Sequence, residues 1–385
     1  MLALDGVARR ILLCPTDITD AQAPAIRQLG EVDIILSDED MMERTVSAVH
    51  PFSGAMPRRE TEWILFTSGT SGFPKLVQHS LESLSAPIGE AAGPHHPVWS
   101  TFYDVRRYGG LQILLRALLS GGSIVLSDAE EPVADFLRRL GGCNVSHVSG
   151  TPTHWRRALM SGAMNDFMPC YVRLSGEIAD QSILDRLNKT YPRASIAHAF
   201  ASTEAGVVFS VNDGRAGFDP DLLEAVATRP EIRITDGTLR VRSNCLASRY
   251  LGTDKRLATD DEGFLDTGDL VVFSEGRCYF GGRREGVVNV GGQKIYPEEI
   301  EAVINRHPEV SMSRVWGRRS PITGTLVGAD VMLSASGLAD DFDRIRREII
   351  EKCRSELQPE KVPAMLKLVS EIAVQSSGKI DRRDA

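Results

Sequence analysis

The feature that most constrains the fold is an alternation of short apolar runs with amphipathic stretches between about residues 10 and 210. Runs such as 63–66 and 123–126 are typical of buried strands, whereas 109–120 and 179–189 have helical periodicity. The same pattern predicts a further helix at 20–29 and further strands at 11–13, 32–36 and 195–200. Alternating strands and helices bury their apolar faces when the helices pack on a mostly parallel sheet. We therefore predict an α/β fold.

A small antiparallel β section is predicted over about residues 226–282. The strands there become short and alternating, at 232–234, 239–242 and 271–273. Turn pairs such as Asp236-Gly237 separate them, as in hairpins.

A small α+β unit is predicted to follow this section. One helix begins at Pro297, with acidic residues in its first turn, and a second, charged amphipathic helix spans 340–356. The chain of 385 residues is too long for one ordinary domain. We predict an N-terminal domain over residues 1–284 and a C-terminal domain over residues 285–385.

The strongest local signal is a loop rich in glycine and hydroxyl groups that directly follows the strand at 63–66. Its residues are Thr67, Ser68, Gly69, Thr70, Ser71, Gly72, Phe73, Pro74 and Lys75. Glycines let a backbone turn tightly and present its N–H groups to an anion, while the lysine neutralises charge. We therefore expect this loop to hold a polyphosphate. Its spacing differs from GxxxxGK[ST], so an ATPase or GTPase of the Walker class is not indicated.

Five motifs in order resemble those of the acyl-adenylate-forming superfamily, which includes acyl- and aryl-CoA synthetases, peptide-synthetase adenylation domains and beetle luciferases. The glycine loop is the first motif. The others are Phe200-Ala201-Ser202-Thr203-Glu204, the segment 263–269 that ends in Thr267-Gly268-Asp269, the segment from Gly282-Arg283-Arg284-Glu285 to 301, and the C-terminal segments 361–363 and Ser377-Gly378-Lys379-Ile380-Asp381-Arg382. Such an ordered set over roughly residues 60–383 is highly specific.

The resemblance implies an ATP site. The loop with Lys75 would hold the β- and γ-phosphates, Thr203 would contact the α-phosphate, and Glu204 would help to hold Mg²⁺. Phe200, Ala201 and Ser202 belong to the same nucleotide-binding segment.

The resemblance also implies residues for the ribose, the acid and the chemistry. Asp269 would accept hydrogen bonds from the ribose hydroxyls with Arg283 nearby, and Gly176 and Glu177 would line the adenine and acyl sites. Lys379 would bridge the attacking carboxylate and the α-phosphate. Because this attack brings two anions together, catalysis requires positioning and cationic stabilisation.

The small domain would be mobile, as in relatives of this kind. Glu285 occupies the hinge position, and Gly291 and Gly292 would line the path of a thiol in the second step. The implied reaction converts a small carboxylic acid and MgATP to an acyl-adenylate and then to a thioester. The acceptor would be CoA or the phosphopantetheine arm of an acyl carrier protein, with CoA favoured.

The sequence departs from the family pattern at its N-terminal end, at Phe200-Ala201, which replace an aromatic–glycine pair, and around Asp104. The loop begins at residue 67, so much of the usual N-terminal lobe is expected to be missing. Asp104 resembles the aspartate that binds the α-amine in amino-acid-activating relatives, although its spacing differs. His154 resembles a histidine beside the acyl site of aryl-CoA ligases, and the alternative is a histidine that caps a helix.

Two other functions therefore stay open. An amino-acid-adenylating enzyme depends on Asp104. A non-catalytic acyl- or nucleotide-binding protein is possible for a shortened chain, but the presence of Lys75, Glu204, Asp269 and Lys379 disfavours it.

Composition restricts the partners and the compartment. The net charge of −8 disfavours nucleic acid and anionic membranes. No stretch approaches the ~18 apolar residues of a membrane helix, and the apolar run after Arg9-Arg10 is too short for a secretory signal. Six scattered cysteines without a CxxC motif indicate free thiols. We expect no nucleic-acid partner, no membrane insertion and a cytoplasmic location.

Overall fold

The computed structural model describes residues 2–37, 59–67, 73–89, 96–224, 230–252, 257–290, 293–320, 324–334 and 342–382. The strands up to residue 250 are β1 (Arg10–Leu12), β2 (Glu62–Thr67), β3 (Lys75–His79), β4 (Val98–Thr101), β5 (Ser123–Val125), β6 (His147–Gly150), β7 (Tyr171–Ser175), β8 (Ser195–Ser202), β9 (Gly206–Val211), β10 (Glu231–Thr235), β11 (Thr238–Arg242) and β12 (Arg249–Tyr250). The later strands are β13 (Leu265–Ser274), β14 (Arg277–Arg283), β15 (Val288–Val290), β16 (Gln293–Ile295), β17 (Val310–Ser320), β18 (Gly324–Leu333) and β19 (Met365–Leu368). The α-helices are α1 (Ala23–Gly30), α2 (Leu81–Ser85), α3 (Tyr108–Leu119), α4 (Val133–Gly142), α5 (Pro152–Met160), α6 (Gln181–Thr190), α7 (Pro297–Ile304) and α8 (Phe342–Glu356).

A six-stranded sheet in the order β5-β4-β6-β7-β8-β9 forms the centre of the N-terminal part. Its pairs are parallel except for β8 and β9, which are antiparallel. The carboxyl ends of parallel strands meet at one edge of a sheet, where α/β proteins usually bind ligands. Thr151, Gly176 and Thr203 each directly follow one of these strands, so the fold places them at that edge.

Side chains alternate across the central strand β7. Val172 and Leu174 are fully buried in a core that includes Leu137 of α4 and Trp155 of α5. Arg173, between them in sequence, therefore faces the opposite side of the sheet.

Local capping starts the helices that cover the first face of the sheet. Helix α5 begins at Pro152, whose fixed φ suits a first turn, and the Thr151 side chain accepts a hydrogen bond from the N–H of His154. Helix α6 begins after Asp180, whose side chain accepts a hydrogen bond from the N–H of Ile183.

Two four-stranded sheets complete the N-terminal part. The first is mixed and has the order β1-β2-β3-β12, and the second is the antiparallel sheet β10-β11-β13-β14. The C-terminal unit contains the sheet β17-β18-β19 and the two-stranded sheet β15-β16. Its core includes Ile300 of α7, Val315, Val331 and Ile345 of α8.

Buried polar groups join the C-terminal unit to α5 and α6. Arg156 pairs with Asp180 at 2.5 Å and donates a hydrogen bond to the carbonyl oxygen of Ser311 at 3.3 Å. Ser182 donates to the carbonyl oxygen of Asn305 at 2.7 Å, and the Asn305 side chain donates to Asp180 at 3.1 Å. This contact is polar and mutually hydrogen-bonded rather than apolar.

The structure confirms the predicted α/β class and the antiparallel β section. The predicted helices correspond to α1, α3, α6 and α8 with bounds that differ by a few residues, and α7 begins at Pro297 as predicted. None of the helices within the described ranges is long and apolar enough to span a lipid bilayer.

The predicted strand at 32–36 is wrong. These residues pair with no strand in the part of the chain that the structure describes, and Ile34, Ile35 and Leu36 expose 77%, 50% and 58% of their surface. An apolar run resembles a strand in sequence, but a strand requires a neighbour that accepts and donates its backbone hydrogen bonds.

A core substitution tests the central packing. Leu137 is fully buried between α4 and the six-stranded sheet, so Leu137→Ala should lower the free energy of unfolding by about 2–5 kcal/mol. Leu119→Ala is the matched control, because Leu119 is 59% exposed and its loss should change stability by less than about 0.5 kcal/mol. Denaturant titration measures both variants, and equal effects would contradict this packing.

Candidate active site

The strands before and after the predicted phosphate loop pair with each other as a hairpin. Thr67 at the end of β2 lies opposite Lys75 at the start of β3 in antiparallel register. The predicted phosphate contacts of Ser68, Gly69, Thr70, Ser71 and Gly72 lie outside the described residues. The hairpin nevertheless locates Lys75 beside the strand that leads into the loop.

Lys75 and Glu204 approach each other around Tyr250. The Lys75 Nζ atom lies 5.5 Å from the centre of the Tyr250 ring, and the Tyr250 hydroxyl donates a hydrogen bond to Glu204 Oε1 at 3.1 Å. Burial, followed by the charge of Glu204, raises the pKa of Tyr250, so its hydroxyl remains a donor. The arrangement places a cation and a carboxylate together beside the phosphate loop.

A buried histidine supports the predicted α-phosphate contact Thr203. His79 Nε2 lies 2.7 Å from the carbonyl oxygen of Thr203, and its Nδ1 lies 3.0 Å from Ser83 Oγ. Burial lowers the pKa of His79 to about 4, so the ring is neutral at pH 7. Since a carbonyl only accepts, Nε2 carries the proton and donates it to Thr203, and Nδ1 accepts from the Ser83 hydroxyl.

The segment before Thr203 is shaped by stacking and by a turn. The Phe200 ring stacks on Phe280 with the ring centres 5.0 Å apart. The pairing of β8 with β9 is irregular between Phe200 and Ala201. Ser202 Oγ accepts a hydrogen bond from the N–H of Ala205 at 2.9 Å, which closes the turn after β8.

Asp269 holds a buried acceptor that lacks a donor. Arg283 Nε donates to Asp269 Oδ1 at 3.2 Å, whereas Oδ2 is buried and has no hydrogen-bond partner among the described residues. Burial raises the pKa of Asp269, and the Arg283 charge opposes this effect. A buried polar atom left unpaired costs about 1–3 kcal/mol. A ligand hydroxyl would satisfy it, so this carboxylate fits the ribose contact that the resemblance implies.

Lys379 reaches the same region from the C-terminal unit. A Cβ on Gly176 would lie 3.4 Å from Lys379 Cε and 4.0 Å from its Nζ. Gly176 has φ +87°, and the lack of a side chain there leaves room for the lysine. Burial, followed by the charge of Arg283, lowers the pKa of Lys379; the charges of Glu177, Asp269 and Glu204 oppose this.

Backbone hydrogen bonds on both sides of Lys379 hold it in place. Glu177 Oε1 accepts from the N–H of Ile380 at 2.9 Å, while its Oε2 accepts from the N–H of Thr153 at 3.0 Å. Thr151 Oγ1 donates to the carbonyl oxygen of Gly378 at 2.5 Å. Glu177 therefore joins the start of α5 to the residue that follows the lysine.

His154 has the capping role that the sequence left open. Its Nδ1 accepts a hydrogen bond from the N–H of Thr151 at 3.1 Å, and its ring stacks on Phe102 with the centres 5.2 Å apart. Burial lowers the pKa of His154 to about 3. A Cβ on Gly378 would lie 1.8 Å from His154 Cε1, so the glycine backbone packs directly on this ring.

Three other predicted residues do not join this cluster. Asp104 Oδ1 accepts hydrogen bonds from the backbone and the side chain of Arg106, at 2.9 and 2.8 Å. Glu285 is exposed in the short turn between β14 and β15, where its hinge role stays a prediction. Gly291 and Gly292 lie outside the described residues.

Sequence reasoning missed three residues that support the site. Thr151 could have been found, because a threonine often starts a helix when the side chain three residues later can bond to its N–H. His154 is that later residue here. His79 and Tyr250 had no local signal, since they contact partners 124 and 46 residues away in sequence.

The arrangement has the groups that a polyphosphate ester and a carboxylate require. Lys75 and Lys379 provide positive charge, and Glu204 provides a hard oxygen ligand of the kind that Mg²⁺ prefers. Asp269 provides an acceptor that no described residue satisfies. The residues present therefore fit a magnesium–nucleotide complex.

Curated relatives resemble the chain over most of its length. It is 25% identical over 345 residues to the rat mitochondrial acyl-coenzyme A synthetase ACSM5, covering 83% of this chain and 59% of that protein. It is 26% identical over 371 residues to human mitochondrial acyl-coenzyme A synthetase ACSM1, covering 83% and 60%. For the 2-succinylbenzoate–CoA ligase of Bacillus velezensis the identity is 25%, with 84% and 68% covered. The chain thus spans about three-fifths of the length of the two mitochondrial relatives.

Solved structures share the fold. The anthranilate CoA ligase AuaEII in complex with anthranoyl-AMP superposes with a TM-score of 0.74 at 19% identity, covering 98% of this chain and 78% of that one. The amide bond synthetase McbA of Marinactinospora thermotolerans gives 0.71 at 23% identity, covering 94% and 77%.

Family models match both parts of the chain. The model for AMP-binding enzymes matches residues 8–245, which is more than half of the chain, and the model for the AMP-binding enzyme C-terminal domain matches residues 299–379. With the motif order and the shared fold, these matches show that the chain belongs to the AMP-binding enzyme family, within the acyl-adenylate-forming superfamily.

Proposed function

We propose that this chain activates a carboxylic acid with ATP as an acyl-adenylate and transfers the acyl group to the thiol of CoA. The observation that carries the proposal is the position of Lys379. This residue belongs to the C-terminal unit, yet it lies beside Gly176, where the negative charges of Glu204 and Asp269 act on it. One cluster thereby contains a lysine from the C-terminal unit, a predicted metal ligand and a carboxylate oxygen that has no donor among the described residues.

The first step forms the adenylate. A carboxylate oxygen of the acid attacks the α-phosphorus, and the bond from that phosphorus to the oxygen bridging to the β-phosphate breaks, releasing pyrophosphate. Lys379 stabilises the charge on the carboxylate and the α-phosphate, and Thr203 binds the α-phosphate. Lys75 stabilises the leaving phosphates.

The second step forms the thioester. The thiol sulfur, after loss of its proton, attacks the acyl carbon, and the bond between that carbon and the adenylate oxygen breaks to release AMP. This step no longer requires a carboxylate and the α-phosphate to be held together, which is the role of Lys379 in the first step. We propose that the C-terminal unit turns at Glu285 and presents Gly291 and Gly292 instead. The phosphopantetheine arm of an acyl carrier protein would be the alternative acceptor.

Magnesium and the partners complete the proposal. Mg²⁺ bound by Glu204 would neutralise charge on the phosphates. Asp104 is already paired with Arg106, so the geometry gives no support to a role in binding an amino group.

The six cysteines are free thiols, which supports a reducing compartment, and we propose the cytoplasm.

The direct test is acid-dependent exchange of pyrophosphate into ATP across aliphatic, aromatic and amino acids. Exchange with at least one simple carboxylic acid, followed by thioester formation with CoA, is the expected result. Binding of ATP without exchange for any acid would indicate a non-catalytic protein.

Lys379→Ala should separate the half-reactions. Because Lys379 stabilises charge only in the first step, adenylation should fall by at least about 100-fold, while thioester formation from supplied acyl-AMP should change by less than about threefold. Lys367→Ala, which removes an exposed lysine of the same domain, is the control. An equal loss in both steps would refute the role of Lys379.

Glu177 should act as a positioning residue for the first step. Glu177→Ala leaves the N–H groups of Ile380 and Thr153 without their acceptor, so Lys379 loses its fixed position. We expect adenylation to fall by about 10-fold or more, since hydrogen bonds to a charged group contribute about 1.5–3 kcal/mol. Glu177→Gln should restore part of the rate, and Glu130→Ala, at an exposed turn, should have no effect. Reduced rates in both half-reactions together with a lower melting temperature would indicate a structural role only.

Asp269→Ala should weaken ATP binding. Loss of an ionised acceptor for the ribose hydroxyls should raise the KM for ATP by about 10-fold or more. The KM for the acid should stay within about twofold, because the change is remote from the acyl carbon. Asp261→Ala, on an exposed turn, is the control, and an unchanged KM for ATP would place the ribose elsewhere.

A further inference from the structure

A buried cation on β7 has no anionic partner in the part of the chain that the structure describes. Arg173 exposes only 9% of its surface. Within the described ranges its guanidinium neither forms an ion pair nor donates a hydrogen bond. Buried charges in proteins are normally paired, because withdrawal from water is costly. The proposed reaction mechanism does not use this residue.

The neighbours of Arg173 in the sheet have small side chains. Its neighbours in register are Ser149 on β6 and Ala197 on β8, which are both small. Val172 and Leu174 point into the opposite, fully packed face. The guanidinium therefore lies on the face of the sheet opposite that core, between short side chains.

A second arginine adds positive charge beside it. Arg116 of α3 is half-buried and donates a hydrogen bond to the carbonyl oxygen of Pro87 at 3.2 Å. Burial, followed by the charge of Arg173, lowers the pKa of Arg116, and no described carboxylate counters that effect. The hydroxyl groups of Tyr103 and Tyr108 lie close enough to Arg173 for its charge to act on them. Two arginines together with these hydroxyl groups favour binding of an anion that has acceptor oxygens.

The distance to the reacting centre fits a single small molecule. Arg173 precedes Gly176 by three positions, and Gly176 lies against Lys379. A strand rises about 3.3 Å per residue, so about 10 Å of backbone separates the two places. The side chains of Arg173 and Lys379 can shorten this span, so an acid activated at Lys379 could carry a second charged group to Arg173.

We propose that Arg173 binds a second carboxylate on the acid, so that the substrate is a dicarboxylic acid rather than a monocarboxylic one. This inference rests on the proposed function and names the substrate class of the same site. Planar guanidinium and carboxylate groups match in two parallel hydrogen bonds, which gives both affinity and orientation. A monocarboxylic acid would instead leave the buried cation unpaired.

The test compares acids matched in number of non-hydrogen atoms: succinate with hexanoate, adipate with octanoate, and isophthalate with 3-isopropylbenzoate. The measurement is kcat/KM for pyrophosphate exchange with saturating MgATP. In at least one pair the dicarboxylate should be favoured by about 10-fold or more, because sites with buried polar groups discriminate against ligands that leave them unpaired.

Two variants test whether Arg173 causes the preference for the dicarboxylate. Arg173→Met should lower kcat/KM for the preferred dicarboxylate by about 10-fold or more and leave its monocarboxylate within about threefold. Arg173→Lys should retain part of the preference, because the charge remains without the planar fork. Arg193→Met removes an exposed arginine and should change neither value.

Each remaining outcome overturns the inference in a recognisable way. If the wild-type chain uses the monocarboxylate equally well or better in every pair, the substrate class is wrong while the proposed function stands. If Arg173→Met lowers both acids of a pair equally, Arg173 has a structural role. If no acid supports exchange, the proposed function fails and the inference fails with it.

Discussion

The position of Lys379 depends on backbone hydrogen bonds to the residues on either side of it. Gly378 accepts from Thr151, and Ile380 donates to Glu177, so the lysine lies between two fixed peptide groups. Both partners in the N-terminal part sit at the carboxyl edge of the parallel sheet, where the topology collects the ends of β6 and β7. The proposed chemistry therefore depends on the order of the strands as much as on the lysine itself.

The contacts between the C-terminal unit and helices α5 and α6 are compatible with the proposed movement of that unit. The links from α5 and α6 to the C-terminal unit include hydrogen bonds from Arg156 to Ser311, from Ser182 to Asn305 and from Asn305 to Asp180. Polar groups at such a contact can exchange their partners for water at small net cost, whereas separated apolar surfaces cannot. A domain attached in this way can hold a defined position in one step and leave it for another.

The sequence predicted the order of helices and strands along the chain better than the contacts between residues that are distant in sequence. Periodicity was sufficient for α3, α6 and the antiparallel section, because these elements depend on neighbouring residues. It failed at 32–36, since a strand needs a partner that an apolar run cannot reveal.

The candidate site shows the same limit. Lys379 could be singled out only through the order of the motifs, because an isolated lysine near a chain end has no other distinguishing feature. His79 and Tyr250 were missed since their contacts join distant parts of the chain. The charge of Arg173 is visible in the sequence, but its burial without a partner is a property of the folded sheet alone.

Among the described residues, Asp269 Oδ2 has no hydrogen-bond donor and the guanidinium of Arg173 has no anionic partner, so both groups have a cost in the ligand-free fold. Apolar replacements at either position would remove this cost and make the empty protein more robust, at the expense of recognition. Residues that a stability-based redesign would remove first are therefore those that the proposed recognition requires most.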